Sequence, residues 1–128
     1  MPFTINYNPE AHIIQIKVKE NVTLDEFKEI FSQGVQMAKG KECYRILSDF
    51  SEATNINLST LEIYDIPKIV SGIAASSGIH ASRLKRAIVT APHYTDDARF
   101  AENVISNAGQ ISKFFHDIED AKKWLLGK

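Results

Sequence analysis

Short stretches of alternating or continuous apolar residues predict the strands of this chain. Apolar and polar residues alternate over 3–5 and again over 14–18, with turn residues 8–10 between them, which is typical of a β-hairpin. Later apolar runs are short and bounded by polar residues, as expected of strands covered on both faces. They predict strands at 44–50, 87–91 and 111–115.

Longer stretches carry apolar residues at helical spacing, and each begins at a residue that can cap a helix. The predicted caps are Thr23, Ser59, Thr95 and Asp117. Gly40 and Gly109 are expected to end the first and third helices. Pro67 lies inside the second stripe and removes a backbone donor, so we expect a kink there or a new helix start capped by Asp65.

The order of elements, β-β-α-β-α-β-α-β-α, defines the fold class. Strands that alternate with helices of this length pair in parallel through right-handed crossovers. We therefore expect an α/β fold with an N-terminal hairpin, whose mixed, mostly parallel sheet of about five strands packs with about four helices. A chain of 128 residues has the size of one domain, so residues 1–128 are expected to form a single domain.

Charge gives little reason to expect nucleic acid or an anionic membrane as a partner. The chain has 15 basic and 16 acidic side chains and a formal net charge of -1, so it has no strong overall field. The basic cluster Arg83, Lys85 and Arg86 is expected in water at the entry of the strand 87–91. Every apolar run is far shorter than the ~20 residues that span a bilayer, so no membrane span is expected.

Metal and cofactor chemistry is not indicated by the sequence. The histidines lack the close pairing of metal-ligand motifs, and the sequence contains no glycine-rich phosphate loop. The single cysteine, Cys43, cannot form an internal disulfide and is expected to be a small packing residue. Together with the lack of an N-terminal signal pattern, it indicates a cytoplasmic protein. We expect no metal and no cofactor.

Two stretches of the chain are similar to a known family. Residues 45–51 form an aliphatic strand ending in Asp-x-Ser, and residues 114–125 form a phenylalanine strand leading to an Ala-x-x-Trp-Leu helix. These stretches, and the element order of nearly the whole chain, resemble the SpoIIAA-like proteins related to STAS domains (sulfate transporter and anti-sigma-factor antagonist domains). The resemblance implies a β-α superhelix, a fold also found in lipid-binding domains, and a regulatory protein-interaction role.

The resemblance also bears on regulation. Signalling STAS domains carry an Asp-Ser-Ser/Thr-Gly motif at the start of the second helix, where a kinase phosphorylates the first serine. Counted from Asp49 and Ser51, the corresponding stretch here is Asn57-Leu58-Ser59-Thr60. Leu58 then occupies the phosphoacceptor position and has no hydroxyl, so we expect no phosphoserine switch of the usual kind unless Ser59 substitutes for it. We expect Ser59 to act as the helix N-cap.

Polar residues follow the ends of the predicted strands, where ligands of parallel sheets usually bind. They are Asp49, Ser51, the stretch 92–94, His116 and Asp117. A hydrolase built on Ser51, His93 and Asp49 or Asp117 is conceivable from these residue types. No Gly-x-Ser-x-Gly elbow surrounds Ser51, however, so we expect no catalytic site.

The second helix is the more informative candidate, because it combines large apolar side chains with an internal proline. Either these side chains are ordinary core, or the helix stands away from the sheet and opens an apolar cleft. The candidate cleft residues are Ile66, Ile69, Val70, Ile73, His93 and Tyr94. The first functional hypothesis is a non-catalytic interaction module that binds a partner protein or a second copy of the chain as a homodimer. The alternative is a carrier or sensor of a small apolar or lipid-like ligand.

Overall fold

The computed structural model describes residues 3–19, 21–53, 58–92 and 95–127, and the side chains of residues 95–97 are outside this description. Strands and helices alternate after an initial hairpin, in the predicted order. The strands are β1 (Phe3–Asn8), β2 (Ile13–Val18), β3 (Arg45–Asp49), β4 (Lys85–Val89) and β5 (Ile111–Phe115). The helices are α1 (Leu24–Lys41), α2 (Thr60–Ser76), α3 (Thr95–Asn107) and α4 (Ile118–Leu125), and a 3₁₀ turn at Ala81–Arg83 precedes β4.

The strands form one sheet in the order β1-β2-β3-β4-β5. β1 pairs antiparallel with β2, and each later neighbour pairs in parallel. The predicted hairpin and the mixed, mostly parallel five-stranded sheet are therefore confirmed. None of the helices in the described part of the chain is both long enough and apolar enough to cross a membrane.

The two faces of the sheet support two separate cores. Successive residues of a strand point to opposite faces, so Ile46 packs into the core shared with α1, α2 and α3, whereas Leu47 packs against α4. On the other face, α4 buries the side chains of Ala121 and Leu125 against the sheet. The larger core, on the side of α1 to α3, is the one that surrounds the candidate site.

Side-chain caps begin three of the helices, as predicted. Thr23 Oγ1 accepts from the backbone N–H of Glu26 at 3.3 Å, and Asp117 Oδ1 accepts from that of Glu119 at 2.9 Å. Ser59 forms a complete capping box. Its Oγ accepts from Glu62 N at 3.2 Å, and Glu62 Oε1 accepts from Ser59 N at 2.8 Å. The cap expected for the third helix differs, because Thr95 is its first residue.

Some predicted boundaries are wrong, but α1 ends at Lys41, near the predicted Gly40, and Glu42 takes the left-handed conformation at φ 50°. α2 continues through Pro67, so the second start capped by Asp65 does not occur. The capping box at Ser59 and the apolar contacts on both sides of the proline hold one helix together. The start of β4 is the error with the largest consequence, because the strand begins at Lys85, two residues before Ala87.

Candidate functional site

A cavity of about 110 Å³ lies between the sheet and the helices α1, α2 and α3. Phe50 and Thr90, which directly follow β3 and β4, contribute to its wall. So does the fourth residue of each of these helices: Phe27, Ile63 and Ala98. The cavity is therefore at the carboxyl edge of the parallel strands, where such sheets usually bind ligands.

The wall of the cavity is almost entirely apolar. Its aliphatic and aromatic members include Ile16, Ile30, Ile66, Ile88, Ile105 and Phe114. Among the described residues of the wall, only Ser48, Arg86 and Thr90 carry a polar side chain. A small number of polar groups in an apolar concave surface is the usual composition of a small-molecule site.

Arg86 is the residue that the sequence placed wrongly. Because β4 begins at Lys85, Arg86 is a strand residue whose register neighbours are Ile46 and Ser112. Its side chain points to the face of α1 to α3 and only 5% of the residue is exposed. Of the basic cluster expected in water, Arg83 alone is exposed, since Lys85 is half-buried and donates from Nζ to Trp124 O at 2.7 Å.

Among the described residues, one side chain accepts a hydrogen bond from Arg86 and none carries a charge that pairs with it. One guanidinium nitrogen, Nη2, donates to Gln110 Oε1 at 3.0 Å, and the guanidinium carbon lies 5.4 Å from the centre of the Phe31 ring. Within the described ranges, no carboxylate forms an ion pair with Arg86. Burial lowers the pKa of Arg86 to about 10, which still leaves the side chain protonated at neutral pH. The cavity therefore has a cation in its wall.

Gln110 connects this arginine to α2. The residue is 7% exposed, and its Nε2 donates to Pro67 O at 2.7 Å and to Ser71 Oγ at 3.1 Å. The hydrogen bonds run from Arg86 in the sheet through Gln110 to the middle of α2. They connect the middle of α2 to the sheet at Pro67 and Ser71.

Thr90 supplies a second unusual polar group. It is 3% exposed, and its Oγ1 has no hydrogen-bond partner among the described residues. A buried hydroxyl without a partner is uncommon and costs free energy. The Ser112 hydroxyl shares this property, but Ser112 is not part of the cavity wall. Thr90 thus contributes to the cavity wall, while its Oγ1 is enclosed and unpaired among the described residues.

Of the described candidate cleft residues, only some lie at the cavity. Ile66 contributes to the cavity wall. Val70 is fully buried but outside the wall, and Ile69 and Ile73 are half-buried and also outside it. His93 and Tyr94 lie outside the described residues.

Three residues of the stretch expected to correspond to the STAS phosphorylation motif are described, at the start of α2. Leu58, expected at the phosphoacceptor position, contributes to the cavity wall. Ser59 is the N-cap of α2 and Thr60 is its first residue. Asn57 lies outside the described residues.

Two of the residues considered for hydrolysis, Asp49 and Asp117, make local hydrogen bonds to the backbone. Asp49 Oδ1 accepts from the backbone N–H of Ser51 at 2.9 Å, and Asp117 caps α4. His93 lies outside the described residues. In the described ranges, no group of three or more His, Cys, Asp or Glu side chains is placed to hold a metal ion.

Gln110 and the inward position of Arg86 are the features that the sequence analysis missed. A signal for Arg86 was present, because Arg86, Ile88 and Thr90 alternate with Ala87 and Val89. Extending the strand by two residues would have placed the arginine on an inward face. For Gln110 no comparable signal exists, since its hydrogen bonds to α2 are long-range contacts.

Comparison with solved structures identifies the class of fold. The structure of an uncharacterised protein of the DUF3478 family from Shewanella loihica PV-4, described as having a SpoIIAA-like fold, matches with a TM-score of 0.57 and 18% sequence identity. The match covers 96% of this chain and 91% of that chain. No family model and no curated protein matches the sequence.

The chain therefore has a SpoIIAA-like fold, and this part of the sequence-based resemblance is confirmed. At 18% identity the likeness concerns the fold alone. A function must accordingly be argued from the cavity and the surfaces of this chain.

Proposed function

We propose that this protein is a non-catalytic STAS-like domain that binds a small apolar ligand in the cavity beneath α2. The observation that carries the proposal is the cavity itself, an apolar space of about 110 Å³ between the sheet and the three helices. It supports the second of the two sequence-based hypotheses, because Ile63 and Ile66 of α2 contribute to the wall of this space.

The size of the cavity sets the size and affinity of the ligand. An apolar cavity of roughly 150 Å³ binds benzene in another protein, so we expect this cavity to hold a ligand of about six heavy atoms. The best small ligands gain at most about 1.5 kcal/mol per heavy atom, which limits a ligand of this size to roughly micromolar affinity or weaker. Binding should therefore be sought at high micromolar to millimolar concentration.

The direct test is an NMR titration with neutral apolar probes, benzene and 1-hexanol. We expect saturable shift changes at the methyl groups of Ile66 and Ile88, which contribute to the wall. The methyl groups of Ile111, which is 45% exposed and outside the cavity, serve as an internal control and should not change. Native mass spectrometry of freshly purified protein complements the titration by detecting a ligand that copurifies.

A filling variant makes the test specific to the cavity. Ala101 is buried in the wall, so Ala101→Leu should occupy part of the space and weaken probe binding. Ala75→Leu on the exposed side of α2 is the matched control and should leave binding unchanged. Absence of saturable shifts with either probe in the wild type, together with a clean apo mass, would refute ligand binding.

A second candidate function, self-association through α2, is favoured by the exposed apolar residues of that helix. Leu61 is 77% exposed and Tyr64 is 60% exposed, and Tyr64 contacts Phe100 edge-on at 5.4 Å between ring centres. A second copy of the chain could cover this surface. Light scattering of the wild type and of Leu61→Glu tests self-association. A dimeric wild type that becomes a monomer in the variant supports self-association through α2. A monomeric wild type excludes it.

A further inference from the structure

A cation inside an apolar cavity restricts what the cavity can bind. Arg86 has five N–H donors, and the described part of the chain supplies one side-chain acceptor for them, Gln110 Oε1. The arginine is 5% exposed, so solvent does little to satisfy the remaining donors. A buried charge without a partner of opposite sign is costly to the folded state. An anionic ligand would offset this cost as it binds.

We propose that the ligand is a small aliphatic or aromatic monocarboxylate, whose carboxylate pairs with Arg86 and whose apolar body fills the space past Ile88. This inference rests on the proposed function and adds the chemical class of the ligand. A carboxylate matches the planar fork of a guanidinium and accepts two parallel hydrogen bonds from it. It is also a compact anionic head group, which suits a cavity of about 110 Å³.

The register of β4 gives the orientation of the ligand. Arg86 is the second residue of β4, Ile88 is two positions further and Thr90 follows the end of the strand, all on the same face of the sheet. With a rise of about 3.3 Å per residue, the backbones of Arg86 and Thr90 are about 13 Å apart. The carboxylate therefore lies at the inner end of the cavity and the apolar body extends toward the carboxyl edge.

Thr90 places the other end of the cavity at the carboxyl edge of the sheet. Its Oγ1 is enclosed and has no partner among the described residues, and the apolar body of a monocarboxylate supplies none. The preference for an anionic ligand therefore rests on Arg86.

The experiment compares three ligands of one shape and different charge: benzoate, benzamide and benzamidine. Each is titrated into the wild-type protein by NMR at constant ionic strength. We expect benzoate to bind at least about tenfold more tightly than benzamide, since charge-assisted hydrogen bonds are the stronger ones. Benzamidine, a cation facing Arg86, should not bind measurably.

Variants at Arg86 assign the preference to this side chain. Arg86→Met keeps the apolar stem and removes the charge, so it should bring the affinities of benzoate and benzamide within about threefold of each other. Arg86→Lys retains the charge without the planar fork and should restore part of the preference. A preference for benzoate that persists in Arg86→Met would overturn the assignment.

The outcomes separate this inference from the proposed function. If benzene and 1-hexanol bind while benzoate binds no better than benzamide, the cavity takes apolar ligands and the carboxylate inference is wrong. If none of the probes binds, both proposals fail. The comparison within the wild type remains decisive even if the variants at Arg86 do not fold.

Discussion

At the scale of single residues, the polar side chains in the larger core govern what the cavity can hold. Arg86 and Gln110 form a chain of hydrogen bonds to α2, whereas Thr90 and Ser112 each bury a hydroxyl without a partner in the described part of the structure. Buried polar groups that lack partners weaken the folded state, so their retention in a core needs a cause. The proposed ligand supplies that cause for Arg86.

The stability of variants at Arg86 and Gln110 tests whether the buried charge is uncompensated. Arg86→Met removes the charge and keeps most of the packing, so the free energy of unfolding should be unchanged or rise by about 1 kcal/mol. Gln110→Leu removes the side-chain acceptor of Arg86 and both donors to α2, and should cost about 2 kcal/mol or more. Urea unfolding of both variants measures the difference. A larger loss in Arg86→Met than in Gln110→Leu would contradict the account.

Replacing Thr90 tests its unpaired hydroxyl. Thr90→Val has nearly the same shape and removes the buried Oγ1, so the ligand-free protein should be unchanged in stability or gain up to about 1 kcal/mol. Thr60→Val at the exposed start of α2 is the matched control. Thermal unfolding monitored by circular dichroism measures the stability of both variants. A loss of more than about 1 kcal/mol would mean that Oγ1 has a partner in the folded protein.

At the scale of elements, most of the order and many of the bounds followed from local sequence pattern. The strand predicted at 111–115 coincides with β5, and Ser59 and Asp117 cap the helices that they were expected to cap. The start of β4 was wrong because Lys85 and Arg86 were expected in water. In the structure, their burial depends on contacts with α4, Phe31 and Gln110, which a local pattern does not contain.

The capping box gives a prediction for α2. Ser59→Ala removes the acceptor for Glu62 N and should lower the free energy of unfolding by about 1 kcal/mol. Ser106→Ala, at an exposed position of α3, should have little effect and serves as the control. Urea unfolding compares the two variants. Equal stabilities would show that the cap contributes nothing, and Ser59 would then need another role.

At the scale of the whole molecule, the fold class was predictable and the cavity was not. An order of alternating strands and helices restricts the chain to few sheet topologies. The element order and the SpoIIAA-like resemblance predicted the mixed, mostly parallel sheet with its N-terminal hairpin, and the strand order came from the structure. Whether an apolar cleft exists depends on how far α2 stands from the sheet. That distance is set by packing against α1 and α3 and by the hydrogen bonds of Gln110. The sequence analysis accordingly left core and cleft as alternatives.

The most direct test of the central claim is a crystal structure of the protein grown with saturating benzoate. The account predicts electron density for one benzoate beneath α2, with its carboxylate oxygens about 2.7–2.9 Å from the guanidinium nitrogens of Arg86. It would be contradicted by an empty cavity in which Arg86 pairs with an acidic side chain of the chain itself. A benzoate bound only on the outer surface would contradict it equally.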